Sequence, residues 1–279
     1  MRDGGSSPVE TAVRNWKLLP RRKFSEAATL QSRWDDMRKN LKYIAGEITN
    51  LFFPPICPAC GEVMPEGGSL VCTRCRADIP LTFFWSQAEN PMRERLWELQ
   101  LPVENASSFF FFMTGSGFRG VIHSFKYRGS WRLAQQMGMW YGAEMAASDL
   151  YDDVDVVVPV PLHLRKRLKR GYNQAEYLAE GIAAALGRPM DRRSIVRRIY
   201  NKSQTKNDRH KRWENVAGIF AVRNPEVLRG KHILLVDDVL TTGATLVSCG
   251  QEILSRVPDV RLSVATLAVA RSDLGKTKK

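Results

Sequence analysis

The sequence lacks the long apolar runs and leader patterns of membrane and secreted proteins. Its 279 residues are 44% hydrophobic, but no stretch approaches the ~18 consecutive apolar residues that span a bilayer. The amino-terminal segment has no apolar core after its basic residues, so it does not resemble a secretory signal and we expect a cytoplasmic location. The motif GxxxxGK[ST] is also missing, which excludes a Walker-type phosphate loop.

Acidic residues are scarce. The chain has 29 Asp and Glu residues against 42 Lys and Arg residues, which gives a net charge of +13. The excess is concentrated between residues 161 and 212, which contain 15 basic and four acidic residues. Such a density of cations indicates an anionic partner, and nucleic acid is one candidate.

Only five cysteines occur, and four of them form two CxxC pairs separated by eleven residues. These four are Cys57, Cys60, Cys72 and Cys75. Four thiolates in two tight turns suit a structural, tetrahedral Zn²⁺ site, and we expect a zinc ribbon over residues 52–82. A redox dithiol or a pair of disulfides is the alternative. The fifth, Cys249, is expected to be a buried, small apolar residue.

The segment ILLVDDVLTTGAT, residues 233–245, joins an apolar run to two carboxylates and a Thr/Gly turn. The run at residues 233–236 is short and rich in β-formers, which predicts a strand buried on both faces of a parallel sheet. Asp237 and Asp238 follow at its carboxyl end. The turn then opens a helix predicted from Ala244 to about Ser255. The turn residues are Thr241, Thr242, Gly243, Ala244 and Thr245.

The free N–H groups and positive dipole end at the start of such a helix suit a phosphate monoester. Two carboxylates beside the phosphate would repel it unless they face sugar hydroxyls and a bound Mg²⁺ offsets their charge. The segment therefore indicates a sugar-phosphate site. It resembles the ribose-phosphate signature of the type I phosphoribosyltransferases, which bind phosphoribosyl pyrophosphate (PRPP). The alternative is an ordinary buried strand followed by an acidic, capped turn.

Other patterns predict the architecture around this segment. Residues 109–113 and 154–158 are short apolar runs, and a basic loop and a helix follow the second run. We expect a doubly wound, mainly parallel α/β sheet over residues 107–271, with the ligand crevice at the carboxyl ends of its strands. Outside it, we expect disorder at residues 1–25, an amphipathic helix at 26–51 and a basic tail at 272–279. The apolar stripe of that helix packs on its own chain, or else on a partner helix or a membrane surface.

Four motifs occur in the order found in the ComF family, namely LFFPPICPACG, FKYRG, VPVPLHLRKRLKRGYNQAEYLA and VDDVLTTGAT. Over residues 51–271 the chain resembles that family, in which a zinc ribbon precedes a phosphoribosyltransferase-like domain. The resemblance implies a role in DNA uptake during natural transformation. It also implies PRPP or a ribose phosphate with Mg²⁺ as ligands, and other competence proteins as partners.

The resemblance also implies roles for single residues. Asp237 and Asp238 bind the ribose hydroxyls, and the turn at 241–245 binds the 5′-phosphate. The pyrophosphate loop consists of Val160, Pro161, Leu162 and His163, with Arg165 and Arg170 as its charged partners. Lys126 is a candidate for electrostatic screening in the same crevice.

A polar, basic segment at residues 203–215 resembles the mobile hood that closes over the site of active phosphoribosyltransferases. Its candidate pyrophosphate ligands are Lys206, Arg209 and Arg212. A plain surface loop is the alternative.

Two functions from different classes remain open. One is a Mg²⁺-dependent enzyme that transfers ribose 5-phosphate from PRPP to a nitrogen acceptor, although no residue pair marks a general base. The other is a competence protein that keeps the PRPP site and holds single-stranded DNA on its ribbon and basic surface. Three aromatic residues among the cations are candidates for stacking on bases, namely Tyr172, Tyr200 and Trp213.

Overall fold

A computed structural model describes residues 34, 37–38, 54–64, 70–112, 117–127, 130–198 and 218–274. The chain divides into two compact units, residues 1–55 and 56–279. In the first unit, Trp34, Met37 and Arg38 are helical and exposed, and the amphipathic helix at 26–51 otherwise stays a prediction. Within the described ranges, no helix combines the length and the apolar character needed to cross a membrane.

The second unit contains six strands and eight helices in its described part, numbered here in chain order. The strands are β1 Ala106–Phe112, β2 Val156–Pro159, β3 Ile195–Arg197, β4 Phe220–Val222, β5 His232–Leu240 and β6 Arg261–Ala270. The helices are α1 Thr73–Ala77, α2 Pro91–Glu98, α3 Phe118–Tyr127, α4 Trp131–Ala146, α5 Leu164–Arg170, α6 Gln174–Leu186, α7 Pro225–Leu228 and α8 Ala244–Arg256. Four parallel strands form the main sheet in the order β1–β6–β5–β2, and β3 pairs antiparallel with β4 in a separate sheet. The expected strands and the expected parallel sheet are confirmed.

Both faces of the main sheet are buried, which explains the continuous apolar runs in its strands. Along β5, Leu234 and Val236 belong to the core cluster that contains α4 and α6. Ile233 and Leu235 belong to the cluster that contains α2 and α8. Helices therefore cover both faces of a parallel sheet, which is the doubly wound architecture that the sequence predicts.

The cysteine-rich segment packs directly on this core. Cys57 and Ile79 are buried in the same cluster as Phe110 of β1. The guanidinium carbon of Arg76 lies 5.1 Å from the ring centroid of Trp140 on α4, a cation–π contact. The segment is thus held against the sheet by apolar burial and by this contact.

Strand β5 extends beyond its neighbour β2 at the carboxyl edge of the sheet. The last β2–β5 pair is Pro159 with Val236, whereas β5 continues in register with β6 as far as Leu240. Asp237 and Asp238 therefore lie within β5, although we expected them just after the strand. The predicted helix that follows the turn is confirmed as α8.

The basic segment after β2 is a helix, and our prediction of a loop was wrong. Helix α5 has His163 as its N-cap and ends at Gly171. Leu164 and Leu168, one turn apart, are 66% and 76% exposed. Helix α5 therefore has no buried apolar stripe that a sequence pattern could indicate. Its N-cap and an ion pair stabilise it instead.

Candidate functional site

Asp237 and Asp238 lie at the centre of the candidate site, on the part of β5 that extends past β2. Both side chains are half-buried. The backbone N–H of Asp238 donates to Oδ1 of Asp237 over 2.8 Å, which orients the first carboxylate. Successive side chains of a strand project to opposite faces of the sheet, so the two carboxylates flank the edge of β5.

The turn from Thr241 to Gly243 connects β5 to α8. Gly243 is the N-cap of α8, with a φ of +81°, and it makes no side-chain cap bond. A helix that begins at a glycine directs its first N–H groups towards the turn without a cap from the N-cap residue itself. The hydroxyl-bearing residues Thr241 and Thr245 line the adjoining cavity. Amides at a helix start together with hydroxyls suit a phosphate group.

The chain that leaves β2 runs beside the two carboxylates. The backbone N–H of Val160 donates to the Val236 carbonyl over 2.8 Å. The carbonyl of Val160 accepts from Nδ2 of Asn173, a buried residue just before α6, over 3.1 Å. Val160, Pro161 and Leu162 line the same cavity as the two carboxylates. The structure therefore brings together the two segments that were expected to form the ligand crevice.

His163 caps the basic helix. Its Nδ1 accepts the backbone N–H of Arg165 over 3.2 Å, which satisfies one of the free donors at the start of α5. The side chain of Arg165 is exposed. The side chains of Arg170 in α5 and of Lys126 in α3 lie outside the described part of the chain, so their expected roles stay predictions.

A buried carboxylate lies behind the basic helix. Glu176 of α6 is 9% exposed, and its oxygens lie 3.2 Å from Nη1 of Arg192 and 3.9 Å from Nη2 of Arg167. An unpaired buried carboxylate would be costly here and would also repel an anion. The two guanidinium groups neutralise it, and Arg167 links α5 to α6. The sequence did not single out Arg167, because it is one of five cations in six positions.

A cavity of about 310 Å³ connects the carboxylates, the turn and the chain after β2. Its volume is near the lower end of the range of about 300 to 1,000 Å³ for small-molecule pockets. The rest of its lining was missed by sequence reasoning and consists of Phe112, Ile122, Asn173, Gln174, Ala175, Arg197 and Val239. These residues come from separate elements, so no sequence spacing could have revealed them.

Arg197 is a charged lining residue that lies on β3. Its guanidinium carbon is 5.3 Å from the ring centroid of Phe220, and its buried Nε has no hydrogen-bond partner among the described residues. Burial lowers the pKa of Arg197, whereas the charge of Asp237 raises it. Burial and the same carboxylate raise the pKa of the Cys249 thiol, which is fully buried as expected. Arg197 therefore provides a positive charge near the first carboxylate.

The four cysteines of the expected zinc ribbon converge. Their sulfur atoms lie within 4.8 Å of one another, and Sγ of Cys60 is 3.7 Å from Sγ of Cys72. A tetrahedral zinc ion with bonds of about 2.3 Å separates its sulfur ligands by about 3.8 Å, so the set fits zinc. Burial raises the pKa of Cys57, but N–H groups that include that of Cys72 outweigh it and lower this pKa to about 6. Such N–H groups favour the thiolate, which is the metal-binding form.

A second cluster lies at the opposite, amino-terminal edge of the sheet. It consists of Glu104, Asp153 and the fully buried His232. Nδ1 of His232 is 2.9 Å from Oδ1 of Asp153, and its Nε2 is 2.8 Å from Oγ of Ser263. Arg261 pairs with both carboxylates, at 3.2 Å and 2.6 Å. Because its charges are already paired, we assign this cluster a structural role.

Several expected residues are not placed by the structure. The hood segment at 203–215, with Lys206, Arg209 and Arg212, lies outside the described residues, as do Tyr200 and Trp213. Tyr172 is described and is only 8% exposed, with its ring 5.6 Å from that of Tyr177 in an edge-on contact. Packing therefore leaves little of the Tyr172 ring exposed for the stacking on bases for which it is a candidate.

Comparisons with known proteins agree with this architecture. A family model described as "Phosphoribosyl transferase domain" matches residues 172–279. The "Competence protein ComFC" of Bacillus subtilis (strain 168) is 30% identical over 210 residues, which cover 75% of this chain and 72% of that protein. The "DNA utilization protein YhgH" of Salmonella typhi is 34% identical over 100 residues, which cover 36% of this chain and 43% of that protein.

One similar solved structure is a glutamine PRPP amidotransferase from B. subtilis complexed with ADP and GMP. It has a TM-score of 0.31 and 20% identity, and the match covers 47% of this chain and 26% of that chain. The assignment of the sheet domain as phosphoribosyltransferase-type follows from the family model and the parallel topology.

Proposed function

This chain belongs to the ComF family, and from that premise we propose that it binds PRPP or a ribose phosphate with Mg²⁺ and serves DNA uptake in natural competence. The observation that carries the ligand proposal is that Asp237, Asp238, Thr241 and Thr245 line one cavity with residues 160–162. The names of the two relatives, a competence protein and a DNA utilization protein, support the biological role.

In this proposal each part of the cavity binds one part of the ligand. The two carboxylates accept hydrogen bonds from the ribose hydroxyls. The N–H groups at the start of α8, with Thr241 and Thr245, receive the 5′-phosphate. The chain after β2 lies beside the pyrophosphate, and Arg165 contributes charge from the start of α5. Carboxylate oxygens are the hard donors that Mg²⁺ prefers, and a bound Mg²⁺ would offset the charge between them and the pyrophosphate.

Calorimetric titration of the zinc-loaded protein with PRPP and Mg²⁺ tests the ligand site. Replacing both carboxylates, Asp237→Asn with Asp238→Asn, should abolish binding and leave thermal unfolding unchanged within a few degrees. Asp259→Asn is the matched control, because it removes an exposed carboxylate that does not line the cavity. Retained PRPP affinity in the double variant would refute the site assignment.

Single-stranded DNA is the second ligand that we propose. The support is the run of 15 basic against four acidic residues at 161–212, with Arg165 and Arg167 exposed on α5. Phosphate contacts release counterions, so affinity for a labelled oligodeoxythymidine should fall steeply as salt is raised. Absent binding, or binding insensitive to salt, would argue against this part of the proposal.

An active phosphoribosyltransferase is the other candidate function. The carboxylate pair and the phosphate turn favour it, since both are also needed for turnover. The described residues that line the cavity offer no general base apart from the two carboxylates. Pyrophosphate release in the presence of PRPP, Mg²⁺ and a panel of nucleobases would make the protein an enzyme. PRPP binding without pyrophosphate release would support a binding function without catalysis.

We also propose that Cys57, Cys60, Cys72 and Cys75 hold a structural Zn²⁺. The support is the fit between their sulfur separation and tetrahedral coordination. All four are free thiols, and thiols stay reduced in a compartment such as the cytoplasm, which is the location that we propose. Metal analysis of the purified chain should find one zinc per protein, and a Cys72→Ser variant should lose it.

A further inference from the structure

The first cysteine turn, residues 57–60, packs against two glycines at the start of α3. A methyl group on Gly117 would lie 2.5 Å from the carbonyl oxygen of Ala59, and one on Gly120 would lie 2.5 Å from the carbonyl oxygen of Pro58. Pro58 and Ala59 are the two residues between Cys57 and Cys60. Because the atoms on the facing side are backbone atoms, a side chain at either glycine would force the two segments apart.

The same helix forms part of the ligand cavity. Ile122, which lies five residues after Gly117 and two after Gly120, lines the cavity together with Phe112 of β1. Ile122 is 7% exposed and belongs to the core cluster that contains Cys57, which is 1% exposed. The cysteine turn, α3 and one wall of the cavity are therefore in continuous contact.

We propose that the zinc-bound cysteine turn supports α3 as a wall of the cavity, so that zinc occupancy and ligand affinity are coupled. The proposal rests on the proposed function, in which that cavity binds PRPP with Mg²⁺. Sites of this kind keep their fold only while the metal is bound. Loss of zinc would remove the backbone contacts of the cysteine turn that support α3. Ile122 would then no longer be held against the ligand. The coupling is a free energy shared by two sites, so it acts equally in both directions.

Hydrogen exchange tests the structural part without any ligand. The full chain is compared before and after removal of zinc by a zinc-selective chelator, which is then separated from the protein. Amides of α3 should lose protection along with the ribbon, whereas those of α6 should keep theirs. Loss confined to residues 56–82 would overturn the proposal. Equal loss in α6 would also overturn it, since zinc would then stabilise the whole domain.

A binding cycle tests the coupling itself. PRPP affinity in Mg²⁺ is measured by calorimetry with and without zinc, and zinc affinity is measured by chelator competition with and without saturating PRPP. Zinc should raise PRPP affinity by about tenfold, and PRPP should raise zinc affinity by the same factor. Independent affinities would overturn the proposal. If the zinc-loaded chain does not bind PRPP at all, the proposed function fails instead, and hydrogen exchange alone decides whether α3 depends on zinc.

Two variants separate the parts of the proposal. Gly120→Ala should weaken both zinc and PRPP binding, whereas Ile122→Val should weaken PRPP binding and leave zinc affinity unchanged. Glu62→Gln is the control within the ribbon, because Glu62 pairs only with the exposed Arg74 at 3.8 Å among the described ion pairs. If Gly120→Ala does not fold, the Ile122→Val variant and the binding cycle still test the coupling. Wild-type zinc affinity in a folded Gly120→Ala variant would contradict it.

Discussion

Gly243 gives the sharpest test of the proposed phosphate-binding turn, because its replacement by alanine adds a single methyl group. Its φ of +81° is a left-handed conformation that residues with a Cβ rarely adopt. The added Cβ of Gly243→Ala would lie 2.7 Å from Cδ1 of Leu99 and 3.8 Å from Cδ1 of Leu240. Two energetic costs therefore combine. One comes from the left-handed backbone conformation, and the other comes from crowding by the end of the Leu99 side chain, which has to move.

Gly187, which ends α6, separates these costs. Its φ is +63°, and a Cβ built there meets nothing within 4 Å. Gly187→Ala should therefore lower the free energy of unfolding by the left-handed penalty alone, about 1–2 kcal/mol. Gly243→Ala should lower it by a further amount on the order of 1 kcal/mol, because the Leu99 side chain has to repack.

Urea unfolding of both variants and the wild type measures the difference. Calorimetry with PRPP and Mg²⁺ then tests the site, because a shifted turn misplaces the N–H groups that we propose bind the phosphate. A charge-assisted hydrogen bond contributes about 1.5–3 kcal/mol, so Gly243→Ala should weaken binding by about tenfold or more. Gly187→Ala should bind like the wild type. Equal stabilities and equal affinities in the two variants would refute the reasoning.

Two further predictions concern the support of the site and the far edge of the sheet. Asn173→Ala removes the hydrogen bond to the Val160 carbonyl, so unfolding should become easier by about 1–3 kcal/mol in urea titrations, and unchanged stability would contradict that role. Partial burial raises the pKa of Asp153, but the hydrogen bond from Arg261 and the charge of His232 outweigh it and lower that pKa. This stabilisation is present above the unfolded pKa of about 3.9 and is lost as pH falls through the folded value. The stability difference between wild type and Asp153→Asn should therefore shrink below about pH 4. A difference that does not change with pH would show that the Asp153 carboxylate does not stabilise the fold through its lowered pKa.

The strands of the main sheet could be predicted because burial on both faces produces continuous apolar runs. Leu234 and Leu235 pack on opposite sides of β5 and are both fully buried, so their segment indicates a strand of a parallel sheet. Helix α8 was also predictable, since Gly243 and the following residues form a helix start. In both cases the local sequence pattern and the tertiary environment favour the same structure.

Helix α5 and much of the cavity lining could not be predicted, because tertiary contacts determine them. The cap from His163 and the ion pair of Arg167 with Glu176 stabilise a helix that has no apolar periodicity. Arg197 and Ile122 reach the cavity from β3 and α3, which are far from β5 in sequence. Neither has a motif spacing to the carboxylates, since the fold alone brings them together.

The unequal lengths of β2 and β5 explain how two consecutive carboxylates can line one cavity. On a strand with partners at both sides, side chains above and below the sheet would be separated by the sheet itself. Pairing with β2 stops at Val236, while pairing with β6 continues to Leu240. Beyond Val236 the β2 side of β5 is an edge, and a ligand bound there can contact Asp237 from one face and Asp238 from the other. The site therefore depends on strand register, because a slip of one residue would exchange the faces of the two carboxylates.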